Sequence, residues 1–269
     1  MRIMGSLFSL SNVSVVKDGK RILGPLDLSV DEGESIAVIG RNGSGKTTLS
    51  MLLKKEISPY YDELAQSSLT ILGRKDWDIF ELRKTVVSVS TDDERFLDPY
   101  KTVGEVILSG MFGSDGIYPI HDVTREMVSR MSELISAVGL DVTPDREFET
   151  LSQGERRSAM IARALMPGPK VMILDEPTNS LDPIASASFI GMIDGLIAKG
   201  ISVIMVTHRL EDIPKSIKRV IGMKDGLKAA DGKKDEILTS ELVSHIYGAS
   251  VKVSSDNGMF ALSVIPQNL

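Results

Sequence analysis

Lys46 is the residue with the most chemistry to offer. It stands in the run Gly40-Arg41-Asn42-Gly43-Ser44-Gly45-Lys46-Thr47-Thr48, which fits the phosphate-binding loop pattern, follows the apolar strand-like stretch Ser35-Ile36-Ala37-Val38-Ile39 and opens a helix-compatible stretch. Glycines at 40, 43 and 45 let the backbone turn tightly and aim its amides inward, making a concave anion nest at a helix N-terminus. Lys46 adds a full positive charge that reaches the β- and γ-phosphates of a triphosphate, and the Thr47 hydroxyl is suited to ligate Mg²⁺. Asn42, Ser44 and Thr48 are read with the same cradle. A plain turn between strand and helix would use the glycines but has no role for the Lys-Thr pair. More than a hundred residues later, Val171-Met172-Ile173-Leu174 ends in Asp175-Glu176-Pro177. That reads as a strand buried on both faces with two carboxylates at its carboxyl edge, where open parallel sheets hold their ligands. The two runs are expected to be halves of one nucleotide site.

Between them lies Leu151-Ser152-Gln153-Gly154-Glu155, in which Ser152 followed three residues later by Glu155 is a capping-box pattern opening a helix to about Leu165. In this order the motifs resemble those of the nucleotide-binding subunit of ATP-binding cassette (ABC) proteins, and the 151–155 run is similar to that family's signature sequence. The resemblance implies an α/β fold: a RecA-like phosphate-loop core with an antiparallel β subdomain and a helical insertion. It implies that Asp175 holds Mg²⁺ directly or through water and that Glu176 is the general base for the attacking water. Asn179-Ser180-Leu181-Asp182 resembles the family's D-loop, with Asp182 expected at a dimer contact. The strand-like run 201–206 ends in Thr207-His208, similar to the family's switch histidine, which implies that His208 contacts the γ-phosphate and positions the water. A lone histidine is more often structural, and here its place behind the carboxylates favours the catalytic role. Ser152 and Gly154 would face the γ-phosphate held by another subunit, so the resemblance implies a homodimer or heterodimer that closes on ATP, with each ATP between Lys46 of one chain and Ser152 of its partner.

Two positions depart from the family pattern. The residue aligned with an adenine-stacking aromatic is Lys17, and the last position of Val86-Val87-Ser88-Val89-Ser90-Thr91 carries Thr91 where a glutamine is usual. Without a ring, base stacking weakens, although a long cationic side chain can lie over a purine. The missing glutamine bears on coupling to a partner. The segment from Thr102 to Gly113 and the tail from Leu238 to Val251 are similar to those of metal-chelate and molybdate importer ATPases. This implies a separate membrane permease and a cytoplasmic location at the inner face of the cell membrane. A soluble cassette acting in assembly, translation or DNA metabolism is the alternative.

The elements that must position these residues fit within one cassette. The chain has 269 residues, of which 42% are hydrophobic, enough to bury a sizeable core. The expected layout is a single ATP-binding domain: β region and core over about 1–91 and 168–230, a helical subdomain over about 92–167, and a C-terminal extension over about 231–269. Turns are expected at Asp18-Gly19 and 31–33. A helix is predicted over 123–138 with Met127, Met131, Leu134, Ile135 and Val138 as core and Gly139 as its stop, and an amphipathic helix over 183–199 closed by Gly200. His121 and His245 match no motif. No apolar run approaches the roughly twenty residues needed to span a bilayer, and Met1 to Gly5 lacks a signal-peptide core. A net charge of −6 argues against nonspecific nucleic-acid binding, and the absence of cysteine excludes disulfides and thiolate metal sites.

Overall fold

The structure is a computed structural model that describes residues 5–60, 66–90, 93–98 and 100–266. Thr91, at the glutamine position, lies outside the described residues. In chain order the elements are β1 (Ser6–Lys17), β2 (Lys20–Asp31), β3 (Ile36–Ile39), α1 (Lys46–Leu53), β4 (Ser68–Ile71), α2 (Ile79–Thr85), β5 (Val86–Ser90), α3 (Val103–Ser109), α4 (Arg125–Ala137) and α5 (Gln153–Leu165). They continue as β6 (Val171–Asp175), α6 (Pro183–Ala198), β7 (Ser202–Thr207), β8 (Arg219–Lys224), β9 (Leu227–Lys233), α7 (Lys234–Ile237), α8 (Ser240–Tyr247), β10 (Val251–Asp256) and β11 (Met259–Val264). Two compact units result, Met1–Trp77 with Ile197–Leu269, and Asp78–Leu196.

In the first unit, β1 and β2 form an antiparallel hairpin around Asp18 and Gly19, both at positive φ, with Lys17 opposite Lys20. Two such residues match the right-handed twist of the flanking strands, which is why Asp-Gly turns here. β4 pairs on the other side of β1. The four residues of β3 are fully buried and run parallel to β7 on one side and β8 on the other. A short, wholly apolar strand of this kind is stable only with both faces covered. The serines flanking this layer finish its edge: Ser35 Oγ accepts from the Val203 amide at 2.9 Å, and Ser202 Oγ from the Gly33 amide at 3.1 Å. β9 returns antiparallel to β8, and β10 with β11 make a second hairpin.

In the second unit, β5 and β6 pair in parallel, with Val86 opposite Val171 and Ser90 opposite Asp175. Its helices start on side-chain caps. Thr102 and Glu105 form a capping box at α3, Ser152 and Glu155 another at α5, and Thr124 caps α4. The cap places the start of α4 at Arg125 rather than at residue 123. Its core stripe is narrower than the sequence pattern suggests. Met131, Ile135 and Val138 are buried, whereas Met127 and Leu134 are only half-buried. Apart from the exposed Val128 and Ala137 the rest of the helix is charged and polar, so it buries one row at spacings of four and three and leaves the adjacent row at the solvent boundary. Gly139 and Gly200, at φ 65° and 93°, end α4 and α6 in the left-handed region.

Candidate nucleotide site

The phosphate loop leaves β3 at Gly40 and enters α1 at Lys46. Gly40 has φ 155°, and a side chain there would collide with the Met223 carbonyl oxygen and stand 2.6 Å from Ser44 Oγ. Only glycine lets the loop pass this close to β8. Gly43 and Gly45 stand at φ 79° and 98°, so three of six successive residues have conformations that L side chains resist. The loop is tied down by its own backbone, through the Ser44 amide to the Arg41 carbonyl at 3.1 Å and the Gly226 amide to the Ser44 carbonyl at 3.1 Å. Lys46 folds back over it, with Nζ donating to the Gly40 carbonyl at 2.8 Å and the Arg41 carbonyl at 3.2 Å, and is only 5% exposed. A nearly buried ammonium over a ring of main chain is a strong attractor for a polyphosphate.

The N-terminus of α1 has no neutralising group of its own. Its N-cap is Gly45, with no side-chain cap, and its first turn contains no acidic residue. Its positive end is therefore available to an external anion. Ser44 Oγ is buried without a hydrogen-bond partner, a polar atom whose desolvation a phosphate oxygen would offset. Thr47 is exposed and Thr48 half-buried, while Asn42 and Gly43 stand at the exposed rim. The cradle thus fits a nucleotide's phosphates.

In the second unit, Asp175 is the last residue of β6 and is half-buried. Glu176 follows at φ 49°, an unfavourable left-handed conformation for a residue with a Cβ. The turn continues through the Asn179 amide to the Glu176 carbonyl at 3.2 Å and the Leu181 amide to the Thr178 carbonyl at 3.0 Å. Strain of roughly 1–3 kcal/mol held at one carboxylate beyond a strand end is the kind found at working sites. The donors named for Mg²⁺, the Thr47 hydroxyl and the Asp175 carboxylate, are hard oxygens suited to that ion. Among the described residues no group of three His, Cys, Asp or Glu could hold a metal by itself.

The signature run is built as the sequence predicts. Ser152 Oγ accepts from the Glu155 amide at 3.3 Å and the Glu155 carboxylate accepts from the Ser152 amide at 2.7 Å. That amide bond, with Arg146 at 3.2 Å, holds Glu155 below the usual carboxylate range. Gly154 has no packing reason to be glycine, since a Cβ would stand at ordinary contact, 3.5 Å from the Ala185 Cβ. Glycine in a first turn weakens a helix, and nothing packed against this position requires it. Gln153, Arg95, Arg156 and Arg157 line a cavity of about 360 Å³. Asp182 caps α6, its carboxylate accepting from the Ile184 and Ala185 amides at 2.8 and 3.0 Å, with Pro183 at the first helical position.

Sequence reasoning missed Arg157. It is 2% exposed, donates to the Ser90 carbonyl at 3.0 Å and pairs with Glu94 at 3.5 Å. Burial pulls its guanidinium down from its ordinary value, while Glu94 and Asp93 push it back up. The available signal was its helical spacing, four and seven residues before Ile161 and Ala164 on the buried face of α5.

In the first unit His208 follows β7 directly and is half-buried. The turn carrying it is fixed by Thr207, whose hydroxyl accepts from the Arg209 amide at 3.0 Å and donates to the buried Asp212 carboxylate at 3.3 Å. Lys17 is exposed at the end of β1. His245 is exposed, and His121 stacks on Phe112 with ring centroids 4.2 Å apart.

Comparison with known proteins gives this arrangement a family. Residues 23–179, more than half of the chain, match the family model described as ABC transporter. The chain belongs to the ABC transporter family. It is 33% identical over 253 residues to the "Uncharacterized ABC transporter ATP-binding protein YlmA" of Bacillus subtilis, covering 92% of this chain and 93% of that one. It is 32% identical over 238 residues to the "Phosphonates import ATP-binding protein PhnC 1" of Rhodopseudomonas palustris, covering 86% and 83%. Two solved structures share the cassette fold. One is cbiO1 from Clostridium perfringens, part of the ABC transporter complex cbiONQ, with TM-score 0.77, 23% identity and coverage of 90% and 94%. The other is an inward-facing putative metal-chelate type ABC transporter, with TM-score 0.76, 21% identity and 98% of each chain. The protein is thus an ATP-binding subunit of the ABC transporter class, whose members hydrolyse ATP. No helix among the described residues is long and apolar enough to cross a membrane.

Proposed function

We propose that this chain is the ATPase of an importer, working as a dimer on the cytoplasmic face of a separate membrane permease. The observation that carries it is the phosphate cradle, with Lys46 over the Gly40 and Arg41 carbonyls, in a chain aligned over 92% of its length with a named transporter ATP-binding protein. Gly40, Asn42, Gly43, Ser44, Gly45, Lys46, Thr47 and Thr48 would hold the phosphates. Thr47 and Asp175 would hold Mg²⁺, which when bound neutralises phosphate charge. Glu176 would take a proton from the attacking water and His208 would orient that water on the γ-phosphate.

Ser152, Gly154 and Asp182 would act on ATP bound to a second subunit. The exposed capped start of α5, its unneeded glycine and the arginines beside it support that reading. Import is favoured by the phosphonates-import relative, together with the similarity of residues 102–113 to importers of metal chelates and molybdate. A metal chelate or an oxyanion is therefore the proposed cargo. The threonine at the glutamine position favours a non-transport ATPase instead, and the near-full-length match to transporter subunits outweighs it.

The test is sizing by light scattering. Glu176→Gln, unable to discharge its ATP, is expected to be a dimer with MgATP and a monomer with MgADP, and to lose turnover while retaining nucleotide binding. Adding Ser152→Arg is expected to abolish that dimer but not nucleotide binding. Near-normal hydrolysis by Glu176→Gln would remove Glu176 from the base role, and a dimer unaffected by Ser152→Arg would remove Ser152 from the interface.

A further inference from the structure

Helix α8 lies in the tail similar to importer ATPases and outside the nucleotide-site motifs, yet its last residue reaches His208, the residue after β7. The Tyr247 hydroxyl donates to the main-chain carbonyl of His208 at 2.7 Å. Gly248, next in the chain, turns through the left-handed region at φ 61°, and the Arg41 guanidinium lies 3.5 Å from where a Cβ on it would stand. One helix end therefore lies against both the residue after β7 and the phosphate loop.

The helix is well anchored for that task. Thr239 caps its start, Gly248 ends it, and Val243 and Ile246 are buried. Ile246 occupies the space over Gly222, where a Cβ would collide with its Cδ1 and stand 3.0 Å from its Cγ1. Gly222 pairs with Ile39, the residue before the phosphate loop begins. Ser244 binds the far side, with Oγ accepting from the Val251 amide at 3.0 Å, so the β10–β11 hairpin holds the same helix. A hydrogen bond to the carbonyl of residue 208 restrains rotation about its Cα–C bond. Together with the Thr207–Arg209 bond on the following amide, it leaves the backbone under the imidazole little freedom.

We propose that Tyr247 is a positioning residue for His208, so that the C-terminal extension sets the geometry of the switch. The proposal rests on the reading of His208 as the γ-phosphate contact, and its test separates the two. The chain has three histidines, which makes their imidazole NMR signals assignable from His208→Ala and His121→Ala. Tyr247→Phe keeps the ring and removes one hydroxyl. It is expected to shift or broaden the His208 signal, leave that of His121 in place, and lower the melting temperature by no more than about 2–4 °C, the loss of one hydrogen bond. Turnover is expected to fall about fivefold at unchanged KM for ATP, the worth of one neutral hydrogen bond. An unmoved His208 signal overturns the proposal. So does a lowered melting temperature with the His121 signal moving as well, because that is general loosening. A moved His208 signal with wild-type turnover overturns the positioning role, whereas full turnover in His208→Ala overturns the catalytic reading of His208 on which it rests.

Discussion

Replacing Gly40 by alanine tests whether the cradle depends on close approach or only on loop flexibility. The added Cβ would collide with the Met223 carbonyl oxygen and stand 2.6 Å from Ser44 Oγ and 3.3 Å from the Met223 carbonyl carbon. Relaxed contacts between carbon atoms lie at about 3.5–4.0 Å. The obstacle is main chain in β8, held in register with β3 through Ile39 and Gly222, so it cannot swing aside as a side chain would. Overpacking of this kind costs about 1–3 kcal/mol, and the φ of 155° adds roughly 1 kcal/mol more. Gly43 supplies the contrast, with φ 79° and nothing within 4 Å of a Cβ. Alanine there meets only the left-handed penalty, about 1–2 kcal/mol. At about 2–4 °C per kcal/mol for a domain of this size, Gly40→Ala is expected to melt about 4–16 °C below wild type and Gly43→Ala about 2–8 °C below. ATP affinity is expected to fall more than tenfold in Gly40→Ala, because Ser44 and the loop are displaced with it. Thermal unfolding without nucleotide, followed by ATP titration, measures both. A Gly40→Ala protein that melts no lower than Gly43→Ala and binds ATP normally would refute the close approach.

Lys46→Ala is expected to raise the ATP dissociation constant about a hundredfold in equilibrium titration, the loss of roughly 3 kcal/mol of charge-assisted bonding. A change under fivefold would take Lys46 out of the phosphate site. If Lys17 stands where the family has its base-stacking aromatic, ATP and GTP affinities are expected to lie within about thirtyfold, or roughly 2 kcal/mol. A wider gap would mean that another side chain reads the base. Lys17→Tyr is expected to tighten ATP binding by about 0.5–1.5 kcal/mol in the same titration. Glu155 is held below its ordinary value of 4.5 chiefly by the Ser152 amide, so its contribution to stability is fully present above pH 4.5 and is lost as pH falls through the lowered value. Melting curves from neutral pH into that acid window are expected to fall less steeply for Glu155→Gln, which keeps a capping acceptor without a titrating charge, and parallel curves would count against the capping-box assignment.

What the sequence made legible was local. The phosphate loop, the α5 capping box and the apolar run ending in Asp175 each depend on residues a few positions apart, and each stands in the structure where the pattern places it. Met127 and Leu134 were misjudged because helical spacing gives the direction of a face but not the width of its burial. The glycine at 40 was legible as phosphate-loop chemistry, but its reason was not, since the Met223 carbonyl that forbids a side chain lies 183 positions further along.

The same distinction explains Arg157 and Tyr247. An arginine in an exposed-looking run and a tyrosine in a C-terminal tail carry no local mark, because their partners, the Ser90 and His208 carbonyls, are main-chain atoms that any residue would supply. A side chain that bonds backbone leaves no matching residue type at the other end for pattern reasoning to find. Both bonds nevertheless fix motif elements, Arg157 the helix that follows the signature and Tyr247 the turn that follows β7. Motifs therefore report the residues proposed to meet the nucleotide, while the side chains that aim them have to be found in the fold.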